Sequence, residues 1–471
     1  MPLLAALDPQ SSLVQVLYIV AFSMFILGIR RGTHPTTAKQ GNLIAATGMA
    51  IAIATTLALE GIGNWGLIAI GIVGGSVVGV VASKRVQMTA MPQMVALYNG
   101  VGGGAVALIA WAEFRHDLAI GGDIPLDAFV PILFSMVIGS VSFWGSNIAF
   151  GKLQGLIAGQ PMKVPGQQVI NLLLLAGIIA ACIILGLDHD SGPSQGLFIA
   201  VLIAAAILGN LFVLPIGGAD MPVVISLLNA FTGLSAAAAG IALDNTVLIV
   251  AGTLVGSSGT ILTLAMATAM NRSVPNILFA GFGALPAGGV STEERSVTSI
   301  GAQDAAIKLA YADSVVIVPG YGMAVAQAQH AVKEMASELE KRGVEVAYAI
   351  HPVAGRMPGH MNVLLAEADV PYEQLKEMDE INPEMPRTDV AVVIGANDVT
   401  NPAAKDDPDS PIAGMPIIEV DEAQQVIVIK RSLSPGFAGI DNDLFYHPKT
   451  SMLFSDAKQA AADIAGEVEN L

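Results

Sequence analysis

The first 270 residues contain nine long stretches without a charged side chain, and this pattern restricts the fold more than any other feature. The stretches are 18 to 29 residues long, and about 20 apolar residues suffice for a helix to cross a bilayer. They are Ser12–Ile29, Gly41–Leu59, Asn64–Ser83, Ala90–Ala112, Ala128–Gly151, Val164–Leu187, Ser191–Ala219, Met221–Leu243 and Asn245–Asn271. We therefore predict an α-helical bundle of nine transmembrane spans.

Charge divides the chain into two parts. Residues 1–270 hold 8 basic and 10 acidic side chains and residues 271–471 hold 14 and 29, so the net charges are −2 and −15. We predict a transmembrane domain at 1–270, a linker at 271–302 and an acidic soluble domain at 303–471. The negative charge excludes a nucleic-acid binder. The single Cys182 excludes a disulfide scaffold and a multi-cysteine metal site, and we expect no metal.

The basic residues near the spans predict the orientation of the bundle. Eight of them follow the first, third, fifth or ninth span, whereas Arg115 alone lies on the opposite side. An excess of Lys and Arg marks the cytoplasmic side of a membrane protein. The N-terminus is therefore expected outside and the acidic domain in the cytoplasm. The eight residues are Arg30, Arg31, Lys39, Lys84, Arg85, Lys152, Lys163 and Arg272.

A few polar side chains interrupt the apolar spans. Such residues are costly in a bilayer and often mark ion pathways. Serine hydroxyls can instead bond their own helix, and Asp220, just before the eighth span, could be an N-cap. All seven histidines are expected in loops or in the acidic domain, so a proton path would need waters ordered by Asn, Ser and Thr. The polar candidates are Asn99, Ser140, Ser142, Ser146 and Asn229.

Glycines recur at intervals of four in several spans, a spacing that lets two helices approach closely. Examples are the run Gly71, Gly75 and Gly79 and the pair Gly252 and Gly256. We expect these glycines to pack within one bundle; a homodimer seam or a hinge is the alternative.

The acidic domain alternates strand and helix patterns, which predicts a doubly wound α/β domain with a parallel, Rossmann-like sheet. A buried strand at Val315–Val318 leads into a glycine-rich turn, and a long helix is expected from Ala324 to Arg342. Two glycines fit the dinucleotide fingerprint, with valine instead of a third glycine. The alternative is an ordinary strand–helix turn. The fingerprint residues are Gly320, Tyr321, Gly322, Met323, Ala324 and Val325.

A second glycine motif, Gly281–Pro286, is discounted because a proline stands at its third fingerprint position.

Three more strand ends predict which nucleotide is bound. The strand Val344–Ile350 is followed by Arg356 without the acidic residue typical of NAD sites, so NADP is favoured. The two cations and the hydroxyl that follow the last of these strands suit a 2′-phosphate. The alternative is that the two cations are only solvated. If the reaction is hydride transfer between two nicotinamides, a single fingerprint implies that the other nucleotide binds to a partner chain. The strands Val390–Ile394 and Val426–Ile429 end in Gly395, Ala396, Asn397 and Asp398, and in Lys430, Arg431 and Ser432, respectively.

Several strings of residues occur here in the order and spacing of a known family. Through them the whole chain resembles the β subunits of proton-translocating NAD(P) transhydrogenases. The strings are Gly217–Pro222, Gly256–Gly259, Met270–Ser273, Pro319–Gln329, His351–Ala368, Gly395–Asp398 and Lys430–Ser432.

The resemblance implies a domain that conducts protons and a cytoplasmic domain that binds NADP(H), in a bacterial cytoplasmic membrane. A separate α subunit, with the NAD(H) domain and further spans, would complete a dimer of αβ pairs. The Re/Si-specific reaction NADH + NADP⁺ ⇌ NAD⁺ + NADPH would be coupled to proton entry, and this chain would be active only with α.

The resemblance also implies roles for single residues. Lys430–Tyr446 would form a lid, and Asp398 near the nicotinamide would link protonation to lid closure. Some members have a histidine in the fourth span, where this chain has Asn99. The proton-path positions would be Asp220, Asn229 and Ser146, and the NADP-binding positions Tyr321 with its flanking glycines, Arg356, Asp398, Lys430, Arg431 and Ser432.

Two other functions stay open at this point. The chain could be a channel or carrier gated by NADP(H) without redox chemistry, or a membrane anchor whose soluble domain only buffers nucleotide.

Overall fold

The structure is a computed structural model, and its description covers residues 7–471 with gaps. The residues outside it are 1–6, 9–10, 88–89, 121–123, 159–160, 163, 190–192, 219, 271–272, 280–294, 358, 411 and 437. The discounted motif Gly281–Pro286 and the basic residues Lys163 and Arg272 therefore lie outside the described residues.

Nine helices in the described part of the chain are long and apolar enough to cross a membrane, which confirms the predicted bundle. Helices satisfy their backbone hydrogen bonds internally, as the absence of water in a bilayer core requires. The helices are α1 (Ser12–Gly32), α2 (Pro35–Leu57), α3 (Trp65–Arg85), α4 (Met91–Ile120), α5 (Leu126–Leu153), α6 (Gln167–Leu187), α7 (Gln195–Val213), α8 (Met221–Ala242) and α9 (Thr246–Ala269).

The regularly spaced glycines contact a neighbouring helix in one span but not in another. A Cβ on Gly252 of α9 would lie 2.4 Å from the backbone nitrogen of Ala237 in α8, so these two helices are in close contact, as expected. In α3, by contrast, no residue is buried against the described part of the chain. Among the described residues, Gly71, Gly75 and Gly79 have open space beside them. For α3, the prediction of packing within one bundle is wrong.

One histidine does lie in a long helix, contrary to the prediction. Helix α4 continues past the end of its charge-free stretch to Ile120 and includes His116. The charged segment Glu113–Asp117 ends the apolar stretch but contains no helix breaker, so the helix extends beyond the apolar segment.

The acidic part of the chain is an α/β domain. Its strands are β1 (Ser314–Pro319), β2 (Glu345–Ile350), β3 (Leu375–Glu377), β4 (Val390–Ile394), β5 (Gln425–Lys430) and β6 (Thr450–Phe454). Its helices, after α10 (Val274–Phe279) in the predicted linker, are α11 (Ala302–Ala310), α12 (Tyr321–Val325), α13 (Gln329–Lys341), α14 (His360–Glu367), α15 (Met378–Ile381), α16 (Ala403–Asp406) and α17 (Ala457–Asn470).

The six strands form one parallel sheet in the order β3-β2-β1-β4-β5-β6. The order reverses between β1 and β4, as in doubly wound dinucleotide-binding folds. Alternate residues of β1 enter two buried layers, with Val315 and Ile317 in one and Val316 and Val318 in the other. The sheet is thus covered on both faces, and the predicted Rossmann-like fold is confirmed.

The helix predicted from Ala324 to Arg342 is interrupted. Helix α12 ends at Val325, and Gln327 has a left-handed backbone (φ 50°) before α13 begins at Gln329. The Nε2 group of Gln327 donates to Gln87 Oε1, between α3 and α4, over 3.0 Å. The break therefore lies where the α/β domain contacts the helical bundle.

The predicted linker contains ordered contacts at both ends of its described part. Ile277 of α10 is buried with residues of the helical bundle. Near the other end, the N–H of Ile300 donates to the carbonyl of Met452 in β6 over 2.9 Å. The chain therefore joins the outer edge of the sheet before α11 begins.

Candidate functional site

Two glycine-containing loops meet at the carboxyl edge of the sheet, between β1 and β4. The N–H of Gly322 donates to the carbonyl of Gly395 over 2.8 Å. A Cβ on Gly320 would lie 2.3 Å from the Cα of Ala396, and Gly395 has φ +65°. Side chains would prevent this approach. Open α/β sheets present their ligand crevice at this position.

A cavity of about 600 Å³ opens at these loops. Loops that follow three strands contribute predicted site residues to its wall, because the carboxyl ends of parallel strands share one edge of the sheet. The predicted residues that line the cavity are Gly320, Tyr321, Gly322, Val325, Gly395, Ala396, Asn397, Asp398, Lys430, Arg431 and Ser432.

Three of the predicted binding residues lie elsewhere in the structure. Met323 and Ala324 are buried in the hydrophobic core behind the loop. The guanidinium of Arg356 lies 4.4 Å from the centre of the Tyr321 ring, a cation–π contact. Its Nη1 donates to the carbonyl oxygen of Leu153, at the end of α5, over 2.9 Å. Arg356 therefore connects the wall of the cavity to the helical bundle.

Sequence reasoning missed part of the cavity wall. Ser455, Asp456 and Ala457 line it where α17 begins, and Asp456 caps that helix by accepting from the Lys458 N–H over 3.0 Å. The segment Val353–Gly355 lines it after β2. An aspartate two residues after the end of β6 is a helix-start signal, but it indicates a site only once β6 is recognised as a strand of the sheet.

The segment after β5 closes over one side of the cavity. The N–H of Ala438 donates to Asp398 Oδ2 over 3.0 Å. Asn442 Nδ2 donates to the carbonyl of Asn397 over 3.1 Å. Asn401 Nδ2 donates to the carbonyl of Asp441 over 2.9 Å. The loop after β4 thus holds this segment through two of its own side chains and one side chain of the segment.

The cations after β5 differ in their surroundings. Lys430 Nζ donates to the Ser434 carbonyl over 2.7 Å and lies 4.8 Å from the centre of the Phe445 ring. Burial lowers the pKa of Lys430, and the carboxylates of Asp398 and Asp441 act in the opposite direction. Arg431 is exposed at the edge of the cavity. An arginine in this position can donate two hydrogen bonds to one phosphate group.

His360 holds the loop that presents Arg356. Its ring is 1% exposed, and Nδ1 accepts a hydrogen bond from the Arg356 N–H over 3.0 Å. Burial lowers the pKa of His360 to about 4, with a further contribution from the Arg356 charge. The neutral ring is therefore a structural acceptor that positions this loop.

Acidification is expected to destabilise the α/β domain through His360. The pKa is about 4 in the folded protein and 6.5 as the ordinary value. The unfolded chain therefore binds more protons between these values, and stability present above pH 6.5 is lost as the pH falls. Between pH 7 and pH 5 we expect a loss of about 2 kcal/mol in the free energy of unfolding. Hydrogen–deuterium exchange of β1 and β2, corrected for intrinsic rates, measures this loss.

His360→Asn is the matched variant for this test. The asparagine Oδ1 can replace the imidazole Nδ1 as an acceptor but does not titrate. Burial also lowers the pKa of His351, so only the difference between the two proteins reports on His360. Equal pH dependence in both proteins would contradict the assignment.

Within the helical bundle, the structure brings Asn99 and Ser146 together. Asn99 Nδ2 of α4 donates to Ser146 Oγ of α5 over 2.9 Å. Ser142, one turn earlier on α5, shares a hydrogen bond of 2.6 Å with Thr232 of α8. Its Oγ also lies 2.9 Å from the Leu228 carbonyl. These four polar side chains, hereafter the polar cluster, join the three helices.

The other two predicted positions lie at the start of α8 and within it. Asp220 occupies the N-cap position of α8. Asn229 is half-buried one residue after Leu228, and the hydrogen bonds of the polar cluster among the described residues do not include it. About 18 Å of helix separates Asp220 from Thr232.

Comparison with known proteins agrees with this combination of a helical bundle and a doubly wound parallel sheet. Residues 14–467 match the family described as NAD(P) transhydrogenase beta subunit. Two proteins named NAD(P) transhydrogenase subunit beta, one from Rhodospirillum rubrum and one from a named strain of it, are each 49% identical over 460 residues. The match covers 96% of this chain and 98% of each relative. The chain therefore belongs to the family of NAD(P) transhydrogenase beta subunits.

Proposed function

We propose that this chain binds NADP(H) and conducts protons as one subunit of an enzyme that transfers hydride between NAD(H) and NADP(H). The observation that supports this most is the cavity between β1 and β4. Two glycine loops leave room there for a dinucleotide backbone, and exposed Arg431 lies at its edge in a domain of net charge −15. A cation in so acidic a domain favours a ligand with a localised negative charge.

The selectivity for NADP(H) is assigned to Lys430, Arg431 and Ser432. The guanidinium and the hydroxyl would donate hydrogen bonds to the 2′-phosphate, and Lys430 would add positive charge from its place at the start of the lid. Their position after β5, away from Gly320, supports a dinucleotide that extends along the carboxyl edge of the sheet.

The residues of this chain would position the nucleotide and exclude water from it. Bound NADP(H) accepts or supplies the hydride, and the protein contributes orientation. Ala438 and Asn442, both bonded to the loop after β4, would keep the lid segment over the cavity. Asp398 would hold the lid through the Ala438 N–H when ionised, so that its protonation weakens lid closure.

The proton path is assigned to Asn99, Ser146, Asp220 and Asn229. The polar cluster supplies hydroxyl and amide groups that can order water in the interior of the bundle, where the spans contain no ionised group at that depth. One charge that crosses 100 mV releases about 2.3 kcal/mol. Proton entry would therefore drive the reaction toward NADPH.

The chain would lie in the bacterial cytoplasmic membrane, with its N-terminus outside and the α/β domain in the cytoplasm. This orientation rests on the basic residues at one end of the bundle, including Arg30, Lys84 and Lys152.

An α subunit would supply the NAD(H) site and further spans, and two αβ pairs would form the complete enzyme. The word "beta" in the names of the relatives supports such a partner. Helix α3 supports it as well, because its glycine face has no neighbour in the described part of this chain. Spans of the α subunit are the occupants we assign to that face.

Reconstitution tests the proposed function. The chain and its α subunit are inserted into liposomes, and NADH-dependent NADP⁺ reduction is followed with and without an imposed proton gradient. We expect acceleration by an inward gradient and loss of this acceleration with an uncoupler. A rate that changes with neither the gradient nor the uncoupler would contradict the coupling of hydride transfer to proton movement. NADP⁺ reduction without the α subunit would contradict the proposal that this chain has only one nucleotide site. Proton flux without reduction would favour the gated channel.

A further inference from the structure

A lysine is buried at the end of α5, and its hydrogen-bond partners among the described residues include no carboxylate. Lys152 is 4% exposed. Its Nζ donates to the carbonyl oxygens of Leu214 and Ile216 over 2.5 Å and 2.7 Å. Both acceptors lie directly after α7, in the loop that leads to Asp220 and α8. The ammonium therefore fastens this loop to the end of α5.

Packing alone does not require a lysine at this position. Removal of an ammonium group from water is costly unless hydrogen bonds compensate for it, and an apolar side chain would fill the same space at a lower cost. The carbonyls at the end of α7 attract a positive charge. Buried ionisable residues in membrane proteins are by default candidates for function.

The residue next to Lys152 contacts the nucleotide-binding domain. The carbonyl of Leu153 accepts from Arg356 Nη1 over 2.9 Å and from Gln93 Nε2, near the start of α4, over 3.4 Å. Arg356 in turn stacks on Tyr321 in the cavity wall. The last turn of α5 thus contacts α4, the α7–α8 loop and the α/β domain.

The same helix leads directly to the polar cluster. Ser146 lies six residues before Lys152, a distance of about 9 Å along α5. A movement of the last turn would be transmitted along α5 to Ser146 and its partner Asn99. It would also be transmitted through Lys152 to the loop that ends at Asp220.

We propose that Lys152 is a positioning residue that couples the nucleotide-binding domain to the Asp220 loop through the last turn of α5. Contact between Arg356 and Leu153 would fix this turn when the domain docks, and Lys152 would pass the change to the loop. This inference rests on the proposed function, but it concerns coupling and not hydride transfer.

The test compares two reactions of the complete αβ enzyme in liposomes. The first is net NADP⁺ reduction by NADH, which requires release of NADPH and proton movement. The second is hydride exchange between NADH and an NAD⁺ analogue through NADP(H) that stays bound, which requires neither. Lys152→Met keeps an unbranched side chain, one heavy atom shorter, and removes its charge and donors. Lys84→Met is the control, because Lys84 is exposed at the same end of the bundle.

We expect Lys152→Met to slow net reduction about tenfold and to abolish its acceleration by a proton gradient, with exchange unchanged to within about twofold. Lys84→Met should resemble the unmodified enzyme in both reactions. A parallel loss of both reactions would show that Lys152 only maintains the structure, and unchanged net reduction would show that it has no part in coupling. Absence of both reactions in the unmodified enzyme would instead overturn the proposed function.

Discussion

Arg431→Ala is expected to weaken NADP(H) binding by about 100-fold or more, with little change for NAD(H). The guanidinium is exposed at the edge of the cavity, so its removal would take charged hydrogen bonds from the phosphate and would create no gap in the core. NAD(H) lacks the 2′-phosphate and would not contact this side chain. Calorimetric titration of the purified chain with NADP⁺ and NAD⁺ measures both affinities.

Lys405→Ala provides the matched control for charge. Lys405 forms an ion pair of 2.6 Å with Glu419 and does not line the cavity among the described residues. Its loss should change neither affinity by more than about twofold, because surface ion pairs contribute little. Equal losses for NADP⁺ and NAD⁺ in the Arg431 variant would remove the 2′-phosphate assignment.

The membrane helices could be predicted because lipid imposes a simple requirement on them. Water is absent from the bilayer core, so an uncharged stretch of sufficient length has few alternatives to a helix. The same argument fails at the ends of helices, where α4 continues through charged residues to Ile120. It also fails for helix rotation: the spacing of Gly71 and Gly252 is alike, yet only Gly252 faces a neighbouring helix in the described chain.

The strands of the sheet could be predicted where they are buried on both faces. β1, β4 and β5 are runs of Val and Ile, and each lies within one residue of its predicted bounds. β3 and β6 were missed: β3 has three residues, none of them buried, and β6 mixes polar and apolar residues at the edge of the sheet. The cavity wall contributed by Ser455–Ala457 was missed for the same reason.

The contacts between the two parts of the chain could not be predicted. Arg356 follows a strand whose end belongs to the site, a position that predicts a contact with the nucleotide and gives no sign of a contact with the helical bundle. Its hydrogen bond to Leu153 joins residues about 200 positions apart, and no sequence pattern indicates such a pair. The meeting of Asn99 with Ser146 depends in the same way on how α4 and α5 are rotated in the bundle.

Asp398→Asn is expected to reduce net NADP⁺ reduction by about 100-fold or more and to make it insensitive to pH. In the structure Asp398 Oδ2 accepts from the Ala438 N–H, and its charge acts on Lys430. An asparagine oxygen can still accept that hydrogen bond, so the lid keeps an anchor. The variant loses the negative charge and the group that could bind a proton, and lid closure would no longer depend on protonation.

Rates of net reduction and of exchange through bound NADP(H), each measured across the pH range, test this role of Asp398. If the carboxylate links protonation to the lid, the net rate falls and its pH dependence disappears, whereas exchange through the closed site decreases much less. Asp409→Asn is the control, because Asp409 is exposed and lies outside the cavity wall. A pH profile equal to that of the unmodified enzyme would assign Asp398 to lid anchoring alone. The proton would then act on the nucleotide site through the end of α5 and not through this carboxylate.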